Sequence, residues 1–164
     1  MKNFFLLVAN TLEHAEHMRV VRNECRQFMT QDTREISRED QVTWFQALDR
    51  YHTRPFVGLT YNIHNGQATG AVIAYGLVRK IDSRWWISGG IAPEWRGQGF
   101  GRELFSALTT IVTRGIGRAC WLEVHGDNER AFRLYASLGF VIDPAPSASN
   151  APGVLVMRKR KEFR

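Results

Sequence analysis

The sequence has 164 residues, a formal net charge of +6 and an isoelectric point near 9.8, and 44% of its residues are hydrophobic. This length fits a single domain over residues 1–164, and ten Phe and five Trp exclude a disordered chain. The longest apolar run, residues 4–9, is too short for a membrane span, which needs about 20 residues. We therefore expect a folded cytoplasmic protein with no membrane partner.

The cysteine usage and the charge limit the kinds of ligand. Cys25 and Cys120 lie far apart, with no CxxC pair or histidine cluster beside them, which predicts two reduced thiols and no metal site. The positive charge favours an anionic ligand and is compatible with nucleic acid, a less favoured partner. Residues 158–164 hold five cations and one anion, as is typical of a solvated end.

The N-terminal part predicts one strand and a long helix. Residues 3–10 are typical of a strand, after which Asn10 or Thr11 can cap a helix over residues 12 to about 29. The apolar positions of this helix fall on one face, and they are Met18, Val21, Cys25 and Phe28.

A second helix is predicted after a polar break. Ser37 is its N-cap and Asp40 follows three residues later, a near variant of the capping box. The buried stripe of this helix is predicted to be Val42, Phe45 and Leu48.

The middle of the chain predicts an antiparallel meander. Its three strands are expected at residues 56–63, 68–81 and 85–92. The pair Asn65-Gly66 is a strong signal for the first hairpin turn, and residues 82–84 make the second tight connection.

The remaining elements alternate between helices and strands. A helix from residue 102 is predicted to stop at Gly115, and a strand follows at residues 119–124. Asp127 or Asn128 caps a further helix that stops at Gly139. Two short strands flank a polar loop over residues 143–153, and the order βααβββαβαββ predicts an α+β or mixed α/β sheet protein.

Three glycines in RGQGFGREL predict an anion site. Gly97, Gly99 and Gly101 lie between Arg96 and Arg102, directly after a strand and at the start of a helix. Helix N-termini offer free N–H groups, and glycine lets the backbone approach phosphate oxygens. A Walker loop is excluded because Gly-Lys-Ser/Thr is absent. A dinucleotide fingerprint is excluded by its spacing and by the antiparallel strand before it.

Two segments resemble the GNAT superfamily of N-acetyltransferases. IAPEWRGQGFGRELFSAL, residues 91–108, is similar to its acetyl-CoA-binding motif, and LEVHGDNERAFRLYASLGF, residues 122–140, is similar to the motif that follows. The resemblance covers residues 56–140. It implies a GNAT-like fold with a central, mostly antiparallel, twisted sheet of about seven strands and helices on both faces.

The resemblance also implies which residues bind acetyl-CoA and which assist catalysis. The cofactor-binding candidates are Ile91, Arg96, Gly97, Gln98, Gly99, Phe100, Gly101, Arg102 and Asn128. Tyr135, two helical turns after Asn128, matches the tyrosine that protonates the departing thiolate. No metal is implied.

The base for the acceptor amine has several candidates. Residues 84–90 contain no carboxylate where many relatives have a glutamate. The segment LEV resembles the ribosomal-protein alanine N-acetyltransferases, which implies Glu123 as the base. The alternative is that Glu123 pairs with a neighbouring Arg, with His125 or a water relay acting instead.

The acceptor groove is implied to lie between the first two helices and the loop over residues 143–153. The candidate lining residues are Phe28, Met29, Trp44, Trp85 and Trp86. Residues 21–48 loosely resemble nucleotide-linked amino-sugar acetyltransferases. We expect an enzyme that acetylates an amine of a small molecule or a peptide N-terminus, as a monomer or homodimer. The alternatives are a toxin acting on aminoacyl-tRNA and a non-catalytic acyl-CoA-binding module.

Overall fold

A computed structural model describes residues 3–64 and 67–162. The strands are β1 (Asn3–Val8), β2 (Thr53–His64), β3 (Gln67–Ile81), β4 (Arg84–Ile91), β5 (Cys120–His125), β6 (Val141–Ile142) and β7 (Val154–Lys159). The α-helices are α1 (Leu12–Glu24), α2 (Arg38–Gln46), α3 (Phe100–Thr110) and α4 (Glu129–Ser137). The predicted order and the mixed α/β class are confirmed. The Asn65-Gly66 turn lies outside the described residues.

The seven strands form one sheet in the order β1-β2-β3-β4-β5-β7-β6. Every neighbouring pair is antiparallel except β4 and β5. These two parallel strands pair only at Trp85↔Cys120 and Trp86↔Trp121. Beyond those pairs β4 and β5 separate, which leaves a gap in the middle of the sheet.

Helices cover both faces of the sheet, as predicted, because alternate strand residues face opposite sides. The face under α3 and α4 holds the larger core, which includes Leu104, Leu108 and Leu122. The face under α1 and α2 holds a second core, to which Met18 and Tyr75 belong.

The first helix is shorter than predicted. Thr11 caps it by accepting a hydrogen bond from the His14 amide, but α1 ends at Glu24 instead of near Met29. A separate 3-10 turn covers Arg26–Phe28. Phe28 is 44% exposed, so its apolar side chain does not supply the burial that would extend the helix.

The second helix begins as predicted but buries a different side chain. The Ser37 hydroxyl accepts the Asp40 amide at 3.0 Å. Val42 is only partly buried, whereas Gln41 is 6% exposed and donates through Nε2 to the Ala15 carbonyl at 3.0 Å. The amide is tolerated there because α1 offers it an acceptor.

The prediction that Gly115 ends the third helix is wrong. The chain continues past Gly115 through a π-helical turn, Ile111–Ile116, and the left-handed residue is Gly117, with φ 70°. The Arg118 amide then donates to the Val112 carbonyl. The stop at Gly139 after α4 is confirmed, with φ 88°.

Cys25 and Cys120 are both buried free thiols, as predicted. Within residues 3–64 and 67–162, no group of His, Cys, Asp and Glu is arranged to hold a metal ion. No helix in this described part is long and apolar enough to cross a membrane.

Candidate active site

The separation of β4 and β5 opens two adjoining cavities. The larger, about 480 Å³, lies under α1 and α2, and we call it the large cavity. The smaller, about 100 Å³, lies beside Gly90, Ile91 and Asn128, and we call it the small cavity. The residues that line both are Phe28, Met29, Gly89, Glu123 and Tyr135. This shared set marks the junction of the two cavities.

The predicted glycine cradle forms the turn before α3. Gly97 and Gly99 have φ values of 77° and 93°, which residues with a side chain rarely adopt. Gly99 is also the N-cap of α3. Gly101 is already helical, and a Cβ there would lie 3.6 Å from a methyl group of Leu134. The backbone conformation therefore favours glycine at positions 97 and 99. At position 101 it would also accept a residue with a side chain.

Two arginines lie near this turn. Arg102 donates to the Ser137 hydroxyl at 2.8 Å and so joins α3 to α4. The Arg130 guanidinium lies close to Gly97, 3.7 Å from the position of an added Cβ. Arg130 was not among the predicted site residues. Its position in the first turn of α4, two residues after the cap Asn128, is the only sequence signal that could have indicated it.

The other predicted residues of the glycine segment make mostly internal contacts. Arg96 donates to the Ile91 carbonyl at 2.9 Å and the Glu24 carbonyl at 3.2 Å, while its side chain lines the small cavity. The Gln98 amide donates to the Glu94 carbonyl at 3.1 Å. Phe100 is 2% exposed and belongs to the core, which leaves only its backbone for a ligand.

Asn128 caps α4 and lines the small cavity. Its Oδ1 accepts the Ala131 amide at 3.1 Å, which confirms Asn128 rather than Asp127 as the cap. Ile91, also predicted, lies on the same cavity wall.

Tyr135 places a hydroxyl without a partner at the junction of the cavities. Its ring is 8% exposed and packs edge-on against Phe105, with ring centroids 4.8 Å apart. Within the described part of the chain the Tyr135 hydroxyl makes no hydrogen bond, whereas the Tyr75 hydroxyl donates to Met29 Sδ at 3.1 Å. Burial raises the pKa of Tyr135, so the phenol keeps its proton at neutral pH.

Glu123 is held by three donors from two loops. Its carboxylate accepts the Thr30 hydroxyl at 2.7 Å, the Ser147 hydroxyl at 2.6 Å and the Ser149 amide at 3.0 Å. Burial alone would raise the pKa of Glu123, but the hydrogen bonds from Ser147, Thr30 and Ser149 outweigh it, and the pKa is lowered. The hydrogen-bond partners are thus hydroxyls and an amide, not the arginine considered as the alternative.

His125 lies two residues after Glu123 in β5, and therefore on the same face of this strand. Its Nε2 lies 2.9 Å from the Met29 carbonyl, so we assign the proton to Nε2 as the donor of that bond. The imidazole therefore ties the chain after α1 to β5.

The large cavity has a mixed aromatic and polar wall. Phe28, Met29, Trp44 and Trp86 line it, as predicted. The prediction for Trp85 is wrong, because Trp85 points to the opposite face of β4 and joins the core under α3. The loop after β6 reaches Glu123 through Ser147, which brings this loop to the site.

Comparisons with known proteins identify the family and the fold. The profile described as the acetyltransferase (GNAT) family matches residues 16–140. A mycothiol acetyltransferase from Nocardiopsis dassonvillei is 42% identical over 71 residues, which are 38% of this chain and 21% of that protein. This chain thus matches only about a fifth of the length of that relative.

Two solved structures show the same fold at low identity. A Salmonella typhimurium protein, solved with acetyl-CoA, has a TM-score of 0.73 and 18% identity over 99% of this chain and 96% of its own. Spermidine N-acetyltransferase from Vibrio cholerae, solved with CoA and spermine, has a TM-score of 0.75 and 17% identity over 96% and 95%.

Proposed function

This chain belongs to the GNAT family of acetyltransferases, and we propose that it transfers the acetyl group of acetyl-CoA directly to a primary amine. The observation that carries the proposal is the free Tyr135 hydroxyl at the junction of two cavities, where β4 and β5 separate. One cavity would receive the thioester arm and the other the amine, so that the two substrates meet beside a proton donor.

The residues around the small cavity fit acetyl-CoA. The turn with Gly97 and Gly99 presents backbone at the N-terminus of α3, where the helix dipole favours phosphate. Arg102 and Arg130 add positive charge next to it. Ile91, Arg96 and Asn128 form the wall along which the thioester arm would lie. We assign the phosphates to the glycine turn, with Gln98, Phe100 and Gly101 as further contacts.

We assign the two proton transfers to Tyr135 and Glu123. The amine nitrogen forms a bond to the thioester carbonyl carbon, and the carbon–sulfur bond breaks. The Tyr135 hydroxyl donates its proton to the departing sulfur. Glu123 is ionised at neutral pH, so it attracts the ammonium form of the acceptor, accepts the proton that the nitrogen must lose before it attacks, and passes this proton to solvent. Tyr135 regains its proton from solvent after the thiol has left. His125 is the alternative acceptor of that proton.

The acceptor is a small molecule or a peptide N-terminus that enters the large cavity. The volume of about 480 Å³ falls in the range of small-molecule sites. Relatives named for mycothiol and spermidine acetylation are consistent with amine acceptors.

The test is thiol release from acetyl-CoA in the presence of an amine panel. The panel contains amino acids, amino sugars, polyamines and N-terminal peptides, and each reaction is followed by free thiol and by the mass of the product. We expect amine-dependent thiol release and a product heavier by one acetyl group. Absence of acetyl-CoA binding at micromolar concentration would contradict the proposal.

A further inference from the structure

Arg79 lies on the floor of the large cavity. It pairs with Trp86 of β4, and Trp86 pairs with Trp121 of β5. Cross-strand partners share a face, so Arg79 is on the face that carries Glu123, two residues beyond Trp121. Two strand spacings, about 10 Å, separate β3 from β5 at the paired residues Arg79, Trp86 and Trp121, and the gap widens towards Glu123. Both side chains line the cavity.

The positive charge of Arg79 has no carboxylate partner in the described part of the chain. The single hydrogen bond of its guanidinium is from Nη2 to Gln31 Oε1 at 3.2 Å. A guanidinium has five N–H donors, so most of them remain for a ligand. Burial lowers the pKa of Arg79, while the charge of Glu123 acts on it across the cavity in the opposite direction.

The other two arginines of this cavity, Arg22 and Arg34, both lie at the Asp32 carboxylate. Arg34 donates to the Asp32 carboxylate at 2.9 Å, and Arg22 lies 3.9 Å from the same carboxylate. Arg22 also bonds the backbone carbonyls of Asp32 and Arg34. Arg79 is therefore the cavity arginine whose charge an incoming ligand can balance.

The acidic groups of the cavity are engaged as well. Asp32 is paired with Arg34, Glu35 lies 3.3 Å from Arg26, and Glu123 accepts three hydrogen bonds. Asp40 is exposed at the rim. A polycationic acceptor could place one ammonium at the Glu123 carboxylate, but its next cationic group would meet Arg79, which is electrostatically unfavourable.

We propose that the acceptor amine carries an oxyanion, a carboxylate or a phosphonate, which binds Arg79 while the amine lies at the Tyr135 and Glu123 end of the large cavity. This inference rests on the proposed amine acetylation and names its substrate class. The planar fork of the guanidinium suits bidentate recognition of an oxyanion. Trp86, the strand partner of Arg79, supplies an apolar surface for the carbon chain between the two groups.

The experiment compares matched acceptors and matched variants. The acceptors are alkylamines, the amino acids and aminoalkyl phosphonates with the same carbon chain, and spermidine. The variants are Arg79→Gln, Arg79→Lys and the control Lys80→Gln. The control removes the same charge from the next residue of β3, whose side chain faces the other side of the sheet and lies 5.9 Å from the Tyr51 ring. Thermal unfolding verifies that each variant is folded.

Binding and turnover are measured separately. Calorimetry with CoA present gives the affinity for each acceptor, and thiol release gives kcat/KM. We expect the wild type to prefer amino acids or aminoalkyl phosphonates over the matched alkylamines by about ten- to a hundredfold, the range for bonds to a charged group. Arg79→Gln should abolish this preference, Arg79→Lys should retain part of it, and Lys80→Gln should keep it.

The outcomes distinguish this inference from the proposed function. Arg79-dependent binding of anionic amines without acetyl transfer would support the anion site and overturn the reaction. Acetyl transfer with equal or better use of spermidine, unchanged in Arg79→Gln, would overturn the anion site and leave the reaction standing. If the wild type prefers only the amino acids or only the aminoalkyl phosphonates, the anion site is supported and its oxyanion is identified as a carboxylate or a phosphonate.

Discussion

At the scale of single residues, Tyr135 and Glu123 show how the surroundings assign chemistry to neighbouring polar groups. Both line the junction of the two cavities. The Tyr135 hydroxyl has no partner in the described structure, whereas the Glu123 carboxylate has three donors. Because Tyr135 lines both cavities and its hydroxyl has no protein partner in the described structure, this hydroxyl is available to a ligand.

Replacing Tyr135 by Phe should therefore reduce kcat without loss of stability. The ring contact with Phe105 is kept, and the removed hydroxyl has no hydrogen bond to lose. We expect kcat to fall by about a hundredfold or more, as for removal of a general acid, with an unchanged dissociation constant for acetyl-CoA. Thiol release and calorimetry give the two quantities.

Tyr51→Phe is the matched control, because Tyr51 is 68% exposed and lies outside both cavities. It should leave kcat unchanged. Equal turnover of Tyr135→Phe and Tyr51→Phe would remove Tyr135 from the mechanism.

Glu123 should make stability depend on acid pH. Its pKa in the folded protein lies below its ordinary value of 4.5, so its stabilising effect is complete above about pH 5 and is lost as pH falls through the folded value. Glu123→Gln should flatten the decline in unfolding free energy as the pH falls below about 5. Chemical denaturation at several pH values measures this, and parallel curves for both proteins would refute it.

At the scale of elements, the turn before α3 contains one glycine that the backbone conformation requires and one that it does not. Gly99 has φ 93° and open space around an added Cβ, so a side chain there would be strained by the backbone alone. Gly101 is helical and has room for a methyl group. The two glycines therefore have different reasons for their presence.

Gly99→Ala should destabilise the fold by about 1–2 kcal/mol, the cost of a left-handed residue with a side chain, and should weaken acetyl-CoA binding. Gly101→Ala should be neutral or stabilising by up to about 1 kcal/mol, because alanine favours a helix. Denaturation and calorimetry report both effects. Weaker acetyl-CoA binding by a stable Gly101→Ala protein would show that the ligand itself needs the missing Cβ. Equal stability of the two variants would contradict the backbone argument.

At the scale of the whole molecule, the split sheet connects the two halves of the proposed site. β4 belongs to the meander of β2, β3 and β4, while β5 pairs with β7. The strand pairing between the two halves consists of two residue pairs of β4 and β5 in the described structure, and the cavities occupy the gap beyond them. A ligand in the gap would contact both halves.

Acetyl-CoA should therefore raise the unfolding temperature of the whole protein. At a hundred times its dissociation constant a ligand of the folded state stabilises by about 2.7 kcal/mol, which for this size corresponds to about 5–10 °C. Differential scanning fluorimetry measures the shift. Arg130→Gln should reduce it at a fixed acetyl-CoA concentration, whereas Arg133→Gln, which alters an exposed pair with Glu129 on the same helix, should not. An equal shift in both variants would exclude Arg130 from the cofactor site.

The sequence alone determined the element order, the cap at Ser37, the choice of two adjacent residues for the caps of α1 and α4, and the family; the structure then selected Thr11 and Asn128. These features depend on local sequence. A cap bonds an amide three residues away, and the positive φ values of the turn are accessible because its own residues are glycines. Errors occurred where long-range packing overrides local signals, as in the end of α1, the stop at Gly115 and the face of Trp85.

Only the tertiary structure decided which side chains share the site. Thr30 reaches Glu123 across 93 positions of sequence, Arg130 comes to lie beside Gly97, and Arg79 remains without a carboxylate in the described chain. These relations depend on strand register and on which side chains the fold places close to one another. The amino-acid pattern of a single strand or helix encodes neither, because each contact joins elements that are distant in the chain.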